Sequence, residues 1–152
     1  MSKLTTRNRR RGAALVEFAL ILPILLMLFL GIVEFGVLMM HQLTLVQVAR
    51  EGSRHASLGK PVAEIQERII NTAGALPNHG ELTIQMTYST DQGVTYPYTL
   101  GDASGGGENN APPGSLIKVT LNWFITGSFF SWLSGAQGDT MPLSSIVIMR
   151  RE

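Results

Sequence analysis

A chain of 152 residues without a cysteine has room for roughly one compact unit, and it can neither be braced by disulfides nor hold a metal through thiolates. Its 45% apolar content and mean hydropathy of +0.17 are high for an ordinary soluble domain, and its net charge of +1 is unevenly spread. Lys3, Arg7, Arg9, Arg10 and Arg11 all precede the first acidic residue, so taking away residues 1–12 moves the net charge from +1 to −4.

A short basic arm beside an apolar run is usually a topogenic signal; nucleic-acid binding is the weaker reading, and no nucleic-acid partner is expected. From Leu15 to Met40 almost every residue is apolar, with Glu17 and Glu34 the only charges. Residues 18–33 alone reach roughly 24 Å at helical rise, and with their flanks they exceed the roughly 30 Å hydrocarbon core of a bilayer. The expected organisation is a basic cytoplasmic leader over 1–12, a transmembrane helix over 13–40, and an extracytoplasmic region over 41–152 placed there by the positive-inside rule. A cleavable secretory signal fits poorly, because the apolar core is long and ends in Val33, Glu34 and Phe35 rather than in small residues. Pro23 removes the backbone bond to the Ala19 carbonyl, where a kink is expected.

Glu17 does not suit a plain anchor. A carboxylate at the centre of a membrane segment costs roughly 2.5 to 3.5 kcal/mol on insertion scales, less near an end where it can snorkel, so such groups tend to have a partner. Gly12 followed by Ala13, Ala14, Leu15, Val16, Glu17 and Phe18 resembles the processing site of type IV prepilin-like proteins, cut after the glycine with a glutamate fifth in the mature chain. With Phe18 behind the glutamate the stretch is more similar to the Flp/Tad branch. "GAALVEFALILPILLMLFLGIVEFG" followed by "VAREGSRHASLG" resembles a TadE-like pseudopilin over roughly residues 9–59, with a looser likeness at "SSIVIMRRE". TadF-like proteins share the N-terminal pattern.

That resemblance implies a minor pilin-like component for assembly of a tight-adherence pilus, resident in the cytoplasmic (inner) membrane or in the pilus. Its implied partners are a prepilin peptidase, other Tad pilins and pseudopilins, and assembly-platform proteins. Gly12 and Ala13 are the implied cleavage junction, and Glu17 and Phe18 the implied recognition and assembly residues. Charge balance fits: cleavage would expose an α-amino group on Ala13, and Glu17 of a neighbouring subunit would be its counter-ion in an apolar filament core. Breaking such a buried pair costs roughly 3 to 5 kcal/mol.

Glu34 lies 17 residues beyond Glu17, so at 100° per residue the two carboxylates point about 100° apart and form no paired site. His41, on nearly the same face as Glu34, is placed to share a proton or hydrogen bond with it, although the simpler reading is that both mark the outer membrane boundary. Beyond the span the helix is expected to continue to about Leu58. Leu45, Ala49, Gly52 and Ala56 form a stripe of mostly small residues where a neighbouring element can approach closely. Arg50, Glu51 and Arg54 lie on the other side, with Glu51 and Arg54 spaced for an ion pair or simply for a solvated face. Glu34, His41, Arg50, Glu51, Gly52 and Arg54 are thus the candidate helix-interface residues.

Gly59 is the expected stop and Pro61 the expected first-turn residue of a second helix whose apolar face is Val62, Ile65, Ile69 and Ala73, ended by Gly74 and Pro77. "LTIQMTYS" alternates as a half-buried strand, residues 91–93 turn, and "VTYPYTL" is a partner strand that Pro97 confines to an edge. Residues 101–115 read as a loop, and their triple glycine lacks the Lys and helix of a phosphate cradle. "LIKVTLNWFI" is the expected central strand and "SSIVIMR" another, with Phe129, Phe130, Trp132 and Leu133 between them as a core-filling or surface-seeking aromatic cluster. The fold class is α+β: a long transmembrane helix, a short second helix and a small antiparallel sheet in a pilin-like domain.

His41, His55 and His79 share no ligand spacing, and no serine sits in a nucleophile elbow, so neither an enzyme nor a metal or cofactor site is expected. The alternative to the pilus component is an uncleaved single-span anchor presenting a binding domain. Only the spacing from Gly12 to Phe18 separates the two, since the anchor does not need it.

Overall fold

The computed structural model describes residues 5–78, 81–101, 107–125 and 141–152, with side chains from Gly12 onward. The chain forms α1 (Thr5–Ser57), α2 (Val62–Thr72) continued by a 3-10 turn (Ala73–Ala75), β1 (Thr83–Ser89), β2 (Tyr98–Thr99), β3 (Leu116–Ile125) and β4 (Met141–Arg150). The α+β class expected from the sequence is the one observed. Both His79 and the aromatic cluster at 129–133 lie outside the described residues.

At 53 residues, α1 is roughly 80 Å long. Its two halves differ in what covers them. Up to Met40 the large apolar side chains other than half-buried Leu38 are exposed, Leu20 by 71% and Ile24 by 69%, whereas Leu45, Val48, Ala49 and Ala56 are fully buried. Only the second half therefore belongs to the packed head, and the first presents a continuous apolar surface of the kind that lipid or other helices cover. Pro23 lies within the continuous helix. After Ser57, Gly59 takes a φ of 74°, and the Gly59 and Lys60 amides donate to the carbonyls of Ala56 and His55. A left-handed glycine thus ends the helix, as its position suggests.

Pro61 is the N-cap of α2, one residue earlier than the first-turn place expected for it. Here α2 crosses α1 at Gly52. A Cβ there would lie 2.6 Å from both Cδ1 and Cγ1 of Ile69, which is itself fully buried. A stripe of small residues lets the helices come this close. Gly52→Ala gains up to about 1 kcal/mol of helix propensity but overpacks Ile69, a cost of about 1–3 kcal/mol. Urea unfolding should show net destabilisation, and combining it with Ile69→Ala should cost less than the sum of the two single changes, because the shortened side chain removes the clash.

The sheet is antiparallel in the order β2-β1-β3-β4. In β3, Ile117, Val119, Leu121 and Trp123 point inward and are buried, joining Met86 of β1, Ile65 and Ile69 of α2, and the α1 stripe in one core. β2 is a two-residue edge next to Pro97, as the proline implies. β4 begins at Met141, three residues before the expected start at Ser144. Its position at the other edge of the sheet accommodates Pro142, which has no N–H to give a ladder.

The end of the chain closes the head. Arg151 exchanges backbone bonds with Gly114 and Ser115, its guanidinium donates to the Asn109 carbonyl at 3.1 Å, and the Glu152 amide donates to the Ser57 carbonyl at 3.1 Å. In the turn after β1, the Ser89 hydroxyl and the Thr95 amide and hydroxyl donate to Asp91, and these bonds hold its carboxyl well below the usual carboxylate range.

Candidate functional site: the N-terminal helix and its junction with the head

Gly12, Ala13, Glu17 and Phe18 lie on the exposed half of α1. Nothing comes within 4 Å of a Cβ built on Gly12, and the residue is helical. Neither close packing nor an unusual φ calls for glycine there, although glycine weakens a helix by about 1 kcal/mol relative to alanine. Folding therefore leaves Gly12 unexplained. Glu17 makes no hydrogen bond or ion pair among the described residues, and it stands one turn from Ala13 on the same face. The carboxylate is available to a group from elsewhere.

Glu34 and His41 do not meet. Both Glu34 carboxylate oxygens are out of contact with solvent and lack a hydrogen-bond partner among the described residues. His41 is 8% exposed, and its ring lies edge-on to Trp123 with centroids 5.3 Å apart. The shared proton suggested by their spacing is replaced by an aromatic contact that joins α1 to β3. One residue on, Gln42 Nε2 donates to the Ser144 carbonyl of β4 at 3.1 Å. His41 and Gln42 thus form the lower attachment of the head to the helix.

Higher up, Arg50 and Arg54 are exposed, while Glu51 is half-buried and turned toward α2. Arg68 donates from Nε at 3.2 Å and from Nη2 at 3.0 Å to Glu51 Oε1, and His55 Nε2 approaches the same oxygen to 3.4 Å. Helical spacing points to Arg54 as the partner; Glu51 instead pairs with Arg68, with the His55 ring beside the same oxygen. Gly52, next in the chain, carries the crossing with Ile69, so charge and close packing fix the two helices together.

The Arg68 hydrogen bond, aided by the Arg68 and His55 charges against the cost of burial, holds the Glu51 carboxyl below its ordinary value of 4.5. A depressed folded-state pKa stabilises the fold above the unfolded value, and that contribution is lost as pH falls through the folded one. Measured in a His55→Gln background, where no imidazole charge faces the carboxylate, the melting-temperature difference made by Glu51→Gln should be constant from neutral pH down to about 5 and shrink in more acidic solution. A difference that grew on acidification would contradict this sign.

These features define a class: a protein with, among the described residues, one N-terminal helix long and apolar enough to cross a membrane, built continuously into a small α+β head. Residues 12–54 match the family model of TadE-like proteins. That segment starts at Gly12, ends at Arg54, and includes each processing, assembly and interface candidate named from the sequence. No curated protein and no solved structure gives a match. Sequence spacing did not identify Arg68 or Trp123 as partners of the helix, nor Gln42 as its contact to β4. An adjacent acidic and basic pair, Glu67 and Arg68, was the only hint of the first.

Proposed function

We propose that the protein is a minor pilin-like component for biogenesis of a Tad/Flp-type adhesive pilus, processed after Gly12 by a prepilin peptidase. One observation carries this reading: the TadE-like match opens on a glycine that folding does not require, five residues before a carboxylate that has no partner among the described residues and lies in an apolar run. On this reading α1 from Ala13 onward packs against other pilins or pseudopilins, and Glu17 balances the new amino terminus of a neighbour. Orientation follows the basic leader, with the head outside the cytoplasmic membrane. The role is structural, with no catalysis and no cofactor.

The test is pilus yield. Shearing cells that lack the chain should recover far fewer pili than shearing cells that carry it, and restoring the chain should restore the yield. Equal yields would remove the pilus role and leave an anchor presenting a head.

A further inference from the structure

Two hydrogen bonds set the level of the head along α1. The Gln42 side chain donates to the Ser144 carbonyl and the Glu152 amide donates to the Ser57 carbonyl, so helix and strand climb side by side in the same direction. From Gln42 to Ser57 the helix rises about 22 Å, and from Ser144 to Glu152 an extended chain rises about 26 Å, so the two stay in step. Below Ser144, β4 continues down to Met141, roughly 10 Å, which brings its start level with α1 near Phe35 and Gly36. Ile125 pairs with Met141, so β3 ends at the same level.

That level lies inside the apolar run of α1. The sheet's surface there is apolar too: Phe124 and Met141 are each 41% exposed, Pro142 is exposed and Ile125 is half-buried. On the helix beside them Phe35 is 60% exposed. The opposite end of the sheet carries exposed Thr90, Asp91, Gln92, Arg150 and Glu152. On β4 charge is confined to that far end, where Val94 is also exposed, while Ile146 and Ile148 carry an apolar strip along the strand from the end that is continuous with the apolar surface of the span.

We propose that the β3–β4 end of the head, at Phe124, Ile125, Met141 and Pro142, is seated in the interfacial layer of the bilayer that α1 crosses. Its occupant is lipid, and the inference rests on the reading of residues 13–40 as a membrane span. Seating this end gives the head a second membrane contact beside the helix. The head then stands at a fixed height and tilt rather than swinging on a single stalk.

The chain has no cysteine, so single-cysteine variants of the full protein can report on it. Phe124→Cys, Met141→Cys, Leu25→Cys within the span and Val94→Cys at the polar end would each carry a small fluorophore in phosphatidylcholine–phosphatidylglycerol vesicles, with and without brominated acyl chains. The expected result is strong quenching at Leu25, none at Val94, and quenching at 124 and 141 closer to Leu25 than to Val94. If Leu25 is quenched while 124 and 141 behave like Val94, the seating is overturned and the span stands. Protection of 124 and 141 from both brominated lipid and aqueous iodide would equally overturn it, because protein then covers that end. An unquenched Leu25 overturns the span itself, and the seating with it.

Discussion

With Gly12 replaced by leucine, residues 1–12 stay on the chain. The fold does not oppose the substitution, since nothing lies within 4 Å of the position and leucine favours a helix more than glycine does. Failure to mature cannot then be blamed on misfolding. A peptidase must reach the peptide bond between Gly12 and Ala13, which lies within continuous helix, and glycine both clears the approach and makes that turn easier to open by about 1 kcal/mol. Losing the opening alone slows cleavage by about fivefold, and a clash costing a further 1.4 kcal/mol adds roughly another tenfold. Mass spectrometry of the membrane-bound variant should find the unprocessed chain; normal maturation would contradict the proposed junction.

Glu17→Gln tests the other half of the proposal. Glutamine keeps the shape, and Glu17 has no partner among the described residues whose loss would disturb the head. Insertion into the membrane should be unchanged or slightly improved, because a neutral amide is cheaper to place near the bilayer than a carboxylate. Assembly should fail, since the Ala13 amino group of a neighbour would be buried without its counter-charge at a cost of roughly 3 to 5 kcal/mol, on the order of a hundredfold or more in the contact equilibrium. Pilus yield equal to wild type, with the variant present in membranes at the normal level, would remove the counter-ion role.

What the sequence revealed about the fold was mostly local. Gly59 marked the end of α1 and the apolar run its middle, though the helix begins at Thr5 within the basic stretch, and the alternation in β1 and β3 marked both strands, because each signal is a period or a terminator carried by neighbouring residues. Pro97 limited β2 for the same reason. The start of β4 was hidden by Pro142, which argues against a strand unless the strand is known to be an edge. Partner choice was less legible. Glu51 has a cation three residues away on its own helix, yet its pairing with Arg68 depends on how α2 crosses at Gly52. His41 likewise has Glu34 two turns below on α1, while its contact with Trp123 is set by the docking of a sheet in which that tryptophan lies about 80 positions further along the chain. The N-terminal motif is legible for the opposite reason: a peptidase or a neighbouring subunit would read it as a linear stretch.

The most direct test of the central claim is the intact mass, with N-terminal sequence, of the protein taken from membranes with and without the prepilin peptidase. A terminus at Ala13 that appears only when the peptidase is present is the predicted result, and it makes Glu17 the fifth residue of a mature pilin-like subunit. A terminus at Met1 or Ser2 under both conditions would contradict the account: the chain would be an uncleaved single-span anchor.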